Sequence, residues 1–286
     1  MIGHARTTGA ISIVNALATG VGAAIGVELW AEAEVELGPS ERQEGSVSVT
    51  PVESDTPLVR ACAAGSKTAF ARETTPSVKV RIQSEIPQRS GLKSSSAVGT
   101  AVVLAMARAL GSDPSAEQAA RRCAESARQI GQSATGAFDD CLASCTAGIS
   151  ITDNRTDRLL RVDPLVESLV TVLWIPPGAH PPSPEIAHRF QGMDPGPAVS
   201  LVLAGRPWEA MEANSEMLER VFGFDGSFRP ALHRLGARAV GVSGLGPAWA
   251  VVVPPDRAGA VSDFLSASAG VVRTVTFRRD RTSRTA

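Results

Sequence analysis

Residues 78–109 hold the strongest constraint on what this chain can fold into. Val78, Val80 and Ile82 alternate with Lys79, Arg81 and Gln83, the period-two pattern of a strand with one wet face. The strand runs straight into Pro87, Gln88, Arg89, Ser90, Gly91, Leu92, Lys93, Ser94, Ser95, Ser96 and Ala97. Beyond them Val98, Val102, Ala105 and Ala109 recur at helical spacing, and Gly111 stands where a helix-ending glycine belongs. A strand, a loop whose glycine permits close backbone approach, and a helix opening on three hydroxyls make an anion site. The free amides and positive dipole end of the helix attract phosphate, and serine adds hydroxyl hydrogen bonds or a Mg²⁺ ligand. The same residues also read as a serine-rich cap after an ordinary turn. The chain has no GxxxxGK[ST], so a Walker loop is not the device.

Other segments fill in the architecture. In Gly26 to Leu37 the apolar Val27, Leu29, Ala31, Ala33, Val35 and Leu37 alternate with Glu28, Trp30, Glu32, Glu34 and Glu36, a strand whose acid row reads as a solvated face. A second strand is expected over 46–52, joined through the polar stretch 38–45, and a helix over 58–72. Asp113 and Pro114 predict a cap and first residue for a helix reaching Ile130. Leu169 to Ile175 suits a buried strand, and the proline-rich run 176–184 excludes regular helix or interior strand. Helices near 197–203 and 208–222 are followed by a strand at 239–242, a glycine turn at 243–247 and a strand at 248–253. A helix at 256–267 and a strand at 271–277 complete the pattern. It predicts an α+β fold, its second half an antiparallel sheet with helices on one face.

The formal net charge of −1 offers nothing to a polyanion, so no nucleic-acid partner is expected, and the basic cluster Arg273 to Arg284 reads as a solvated end. Cys62, Cys123, Cys141 and Cys145 form no CxxC pair. Cys141 and Cys145, four apart, would share a helix face, and buried thiols in a reducing cytoplasm account for the set. His4, His180, His188 and His233 show no ligand spacing. No leader is apparent, and the softest apolar stretch, Ala10 to Leu29, is broken by Ser12, Asn15, Thr19, Gly20, Gly22 and Gly26. A soluble cytoplasmic protein without membrane contact is the expectation.

The loop resembles the central signature of the GHMP kinases, a family named for galactokinase and the homoserine, mevalonate and phosphomevalonate kinases. Pro87, Gly91, Leu92, Ser94, Ser95, Ser96 and Ala97 carry that resemblance. Gly9 to Leu29 stands in the place of the first family motif. It departs from the usual Pro-Gly-Arg-Val-Asn-Leu form and is similar to the archaeal type of shikimate kinase in Asn15, Ala16, Ala18, Thr19 and Gly22-Ala23-Ala24. Thr135-Gly136-Ala137-Phe138-Asp139-Asp140 resembles the same subgroup, and Ser243-Gly244-Leu245-Gly246-Pro247 resembles the third motif.

The resemblance implies a GHMP kinase fold, with a ribosomal protein S5 domain 2-like unit over 1–160 and a ferredoxin-like unit over 161–286. It also implies ATP-dependent phosphorylation of shikimate to 3-phosphoshikimate. ATP phosphates would lie on the Pro87 to Ala97 loop, with Mg²⁺ on Ser95. Glu125 is either the second metal contact or a solvated helix acid. Asp139 would accept or orient the substrate hydroxyl, with Asp140 competing for the role, and the pair could instead cap a helix. Lys93 and Arg89 reach a phosphate or stay in solvent. Another small-alcohol kinase of the family, of homoserine or mevalonate type, and a non-catalytic nucleotide-binding sensor are the alternatives. A homo-oligomer is left open.

Overall fold

The computed structural model describes residues 1–38, 46–70, 77–133, 135–177 and 195–279. The expectations for 39–45, 71–72 and 178–184, for His180 and His188, and for the arginines beyond 279 lie outside the described residues. No described helix is long and apolar enough to cross a membrane.

β1 (Ile2–Val14) and β2 (Val21–Gly38) pair antiparallel through the turn at 15–20. β2 begins five residues before its alternation does. Gly22, Ala23, Ala24 and Ile25 are buried on both faces, so small size rather than period two marks this end of the strand. On the other edge of β2, β4 (Ser77–Ser84) pairs with Ala31 to Gly38 and β5 (Ile149–Asp153) with Val21 to Ile25. β3 (Val47–Thr50) lies parallel beside β4, and β6 (Arg158–Asp163) antiparallel beside β5. The sheet is therefore forked. The notch between its prongs is filled by Phe277, which bridges to Val27, and by Arg278, whose backbone N–H donates to Gly26 O at 2.8 Å.

α1 (Pro57–Phe70), α2 (Ser94–Ala109) and α3 (Ala116–Gln129) cover one face of this sheet, burying Val35, Val80, Ile82, Leu58, Val102, Met106 and Ala120. The other face is wet. Its glutamates meet cross-strand basic side chains: Arg6 pairs with Glu32 at 3.4 Å, Lys79 with Glu36 at 3.9 Å, and Arg81 with Glu34, while His4 Nδ1 lies 3.5 Å from Glu34. The acid row is a solvated, charge-compensated surface, as its period implies.

α3 corrects one expectation. Its cap is Ser115, not Asp113, because Ser115 and Gln118 exchange hydrogen bonds in a capping box and satisfy two helix-end donors at once. Asp113 pairs instead with Arg108 at 3.1 Å. α4 (Phe138–Ala143) ends two residues before Cys145, so the second cysteine lies outside the helix expected to carry both, although its Sγ still reaches Cys141 O at 3.4 Å. Cys62, Cys123 and Cys141 are buried and Cys145 half-buried, all four with free thiols.

The second sheet is antiparallel, in the order β10-β7-β9-β8. Its strands are β7 (Val170–Ile175), β8 (Ala239–Val242), β9 (Trp249–Val253) and β10 (Val271–Thr276). α5 (Gly196–Leu203), α6 (Pro207–Phe222) and α7 (Arg229–Arg234) cross from β7 to β8, and α8 (Ala258–Ser266) from β9 to β10. Strand–helix–strand–strand–helix–strand with the last strand beside the first is the ferredoxin-like arrangement. A single core joins the sheets, packing Ile11, Ile13 and Ile25 with Leu173, Trp208, Met211 and Ala250. The basic cluster is only partly a solvated end. Arg273 lies in β10 and donates to Glu85 O at 3.3 Å, and Arg278 donates to Ser144 O at 3.1 Å.

Candidate active site

Three separate segments meet at one place. Ser90 folds the loop onto itself, its hydroxyl donating to Pro87 O at 2.7 Å. Gly91 adopts φ +86°, and a Cβ there would stand 2.2 Å from Ser243 O, so only glycine fits under the third motif. The Ser243 hydroxyl donates to Gly91 O at 2.9 Å and accepts from Ser12 N at 3.2 Å. The Ser12 hydroxyl in turn accepts from Gly244 N at 3.1 Å, and Ala248 N donates to Ser90 O at 2.9 Å. Asn15 adds a bond to Gly244 O at 3.4 Å. This clasp holds the first, second and third motifs together through buried side chains.

The serine cluster does not cap α2. The residue at the cap position is Lys93, in the left-handed region at φ 65°, with no side-chain cap hydrogen bond. The first-turn amides of α2 thus lack the side-chain acceptor that a serine cap would provide, which favours the anion-site reading over the capping one. Gln88, Arg89 and Ser95 are exposed, Pro87, Gly91, Lys93 and Ser94 half-buried, and Ser90, Leu92, Ser96 and Ala97 buried in the loop's support. Arg89 also takes a left-handed backbone, at φ 56°.

A cavity of about 380 Å³ opens beside the loop. Lys93, Asp139, Asp140, Ser12, Asn15 and Thr135 are among its walls. Asp139 and Asp140 lie within the first turn of α4 and cap nothing. The cap position belongs to Ala137, itself left-handed at φ 53°. Lys93 Nζ stands 3.1 Å from Asp140 Oδ1 in an ion pair only about a tenth exposed. Beyond this ion pair Asp140 Oδ1 is buried with no hydrogen-bond partner among the described residues. Asp139 is held differently. Its Oδ1 accepts from Asn154 Nδ2 at 2.7 Å, and its own N–H donates to Asn154 Oδ1 at 3.2 Å. Burial, with a further push from the Asp140 charge, raises the Asp139 pKa to about 7.

Glu125 is placed elsewhere. It pairs with Arg122 on its own helix at 2.9 Å and is not among the residues lining the cavity. Among the described residues no group of three or more His, Cys, Asp or Glu side chains could hold a metal.

Residues 58–148 match the GHMP kinases N terminal domain. The shikimate kinase of Halobacterium salinarum is 38% identical over 283 residues, covering 96% of this chain and 97% of that protein. The shikimate kinase of Thermococcus kodakarensis is 38% identical over 266 residues, covering 89% and 93%. The chain belongs to the GHMP kinase family, in its archaeal shikimate kinase group. Solved GHMP kinases share the fold at low identity. Methanococcus jannaschii mevalonate kinase superimposes with a TM-score of 0.76 at 11% identity, covering 98% of each chain. A homoserine kinase from Cytophaga hutchinsonii gives 0.68 at 16%, covering 96% of this chain and 95% of that one.

Three site residues of this GHMP kinase escape sequence reasoning, and a fourth, Gly22, is singled out there only through the family resemblance. Asn154 and Thr152 sit in ISITDN, where nothing in the spacing ties them to Asp139. Ser12 reads only as an interruption of an apolar stretch, and its exchange with Ser243 needs the fold to bring them together. Gly22 has a faint signal, a glycine inside a strand, which marks close approach. The approaching group is the Asp139 carboxylate: a Cβ at Gly22 would stand 2.4 Å from Oδ2.

Proposed function

We propose that this chain transfers the γ-phosphoryl group of ATP to a hydroxyl of shikimate, giving 3-phosphoshikimate. The observation that carries the proposal is the placing of two buried carboxylates, Asp139 and Asp140, in one cavity with Lys93 of the phosphate loop. Full-length kinship with shikimate kinases supplies the substrate.

Phosphoryl transfer asks the protein mainly for positioning and charge stabilisation. The Pro87 to Ala97 loop and the open amides of α2 take the ATP phosphates. Asp140 is the better acceptor of the hydroxyl proton, because its Oδ1 has no hydrogen bond beyond the Lys93 ion pair, whereas Asp139 Oδ1 is taken by Asn154. Lys93, 3.1 Å away, stands where it can meet both that carboxylate and charge developing on the transferred group. Mg²⁺ neutralises phosphate charge when bound. Ser95, exposed in the first turn of α2, fits as its protein ligand, whereas Glu125 would have to leave Arg122. We assign the ATP-binding half to 1–160, a boundary that falls inside β6 of the first sheet, and the remainder to 161–286, and place the reaction in the cytoplasm, where thiols such as these four stay reduced.

A coupled ADP-release assay with Mg-ATP across shikimate, homoserine and mevalonate tests the proposal. Turnover is expected with shikimate alone. Folded protein that leaves shikimate untouched sinks it. Asp140→Asn should lower kcat by about 10²- to 10⁴-fold while Mg-ATP still raises the melting temperature.

A further inference from the structure

We propose that Asp139, held by Asn154, receives a second hydroxyl of the substrate, so that the site reads two neighbouring hydroxyls rather than one alcohol. The inference rests on the shikimate kinase reading above and adds a specificity-determining residue to it.

Asp139 is 4% exposed and yet lines the cavity. Its orientation is over-determined. The Thr152 hydroxyl donates to Asn154 Oδ1 at 2.6 Å, the Asp139 N–H donates to the same oxygen, and both contacts turn the Asn154 NH₂ toward the carboxylate. Thr152 and Asn154 are themselves 0% and 1% exposed. A buried amide locked at both ends serves one carboxylate oxygen, Oδ1. The other, Oδ2, lies against Gly22 and has no side-chain donor among the described residues.

A buried carboxylate oxygen without a donor is costly, and a bound ligand can repay that cost. Here two carboxylate oxygens without a side-chain hydrogen bond come from consecutive residues of α4: Asp140 Oδ1, met only by the Lys93 ion pair, and Asp139 Oδ2. Two acceptors on adjacent residues facing one cavity match two donors on adjacent carbons, a vicinal diol. Lys93 is paired with Asp140 and not with Asp139, which separates the roles. Asp140 takes the reacting hydroxyl and Asp139 its ring neighbour. Asn154 is then a positioning residue acting through Asp139.

The test compares shikimate with 4-deoxyshikimate, which lacks the hydroxyl beside the reacting one. The readout is the ratio of their kcat/KM values. Assayed above pH about 8, where Asp139 carries its charge, wild type should prefer shikimate by roughly 10- to 100-fold, the worth of a hydrogen bond to a charged group. Asp139→Asn and Asn154→Leu should bring that ratio to within about threefold of unity, mainly by losing activity on shikimate. Thr152→Val, nearly isosteric and the least disruptive to folding, should lower the ratio in the same direction. A merely structural role would slow both substrates equally and leave the ratio intact. A wild type indifferent to the missing hydroxyl, or an Asp139→Asn enzyme that keeps full preference, overturns the inference. No turnover of either compound by folded wild type strikes the shikimate reading instead, and calorimetric binding of the two compounds then decides the diol question separately.

Discussion

Lys93 accepts a backbone conformation that costs a non-glycine residue about 1–2 kcal/mol. The return on that strain is an ammonium group delivered 3.1 Å from Asp140. Two substitutions separate the contributions. Lys93→Met keeps the strain and loses the cation, so both stability and kcat should fall. Lys93→Gly should recover about 1 kcal/mol of the lost stability without recovering kcat; denaturant midpoints and steady-state rates measure the two. Asp139 makes a pH prediction with a definite sign. Its pKa rises from 3.8 to about 7 on folding, so the native state holds a proton that the unfolded chain has already released. Stability from this residue is therefore full below pH about 4 and declines as the pH climbs to about 7. Asp139→Asn should remove that decline from the difference between the two proteins' midpoints over pH 4–8. An unchanged slope would contradict the assigned burial.

The β4–loop–α2 run was legible because each part carries a local signal: alternation, then Pro and Gly, then helical spacing. The second sheet was legible for the same reason, its strands being apolar runs separated by turn residues. β1 was not, since its inner half is buried on both faces and shows no period. Nor was the start of α3, where Asp113-Pro114 and Ser115 with Gln118 both offer caps and only reciprocal bonding chooses between them. The candidate site divides similarly. Gly91, the serines and the aspartate pair lie in recognisable local motifs, whereas Asn154 and the Ser12–Ser243 exchange depend on contacts between remote segments. That exchange gives a test of the clasp as a unit. Ser243→Ala removes the donor to Gly91 O and the acceptor for Ser12 N, which should cost about 1–3 kcal/mol. Because the phosphate loop loses its backing, KM for ATP should rise more than KM for shikimate. An equal rise in both would mean that the clasp supports the cavity as a whole and not the loop.

The two sheets behave as one body because one core runs between them and because Phe277, 2% exposed, packs at 6.0 Å from Trp208 in the notch of the first sheet. Phe277→Ala should cost about 3–5 kcal/mol, read as a drop in the chemical-denaturation midpoint with a single transition retained. Two separated transitions would show that the sheets unfold independently. The notch also bears on the timing of synthesis. Val27 waits for a partner made 250 residues later, so synthesis must pass Phe277 before the first sheet can close. Until then the fork of β2, with Gly26 and its neighbours, presents open backbone to the cell. Nascent chains stalled before Phe277 should be far more open to protease and chaperone than chains that have passed it, even though every strand of the first sheet has already been made.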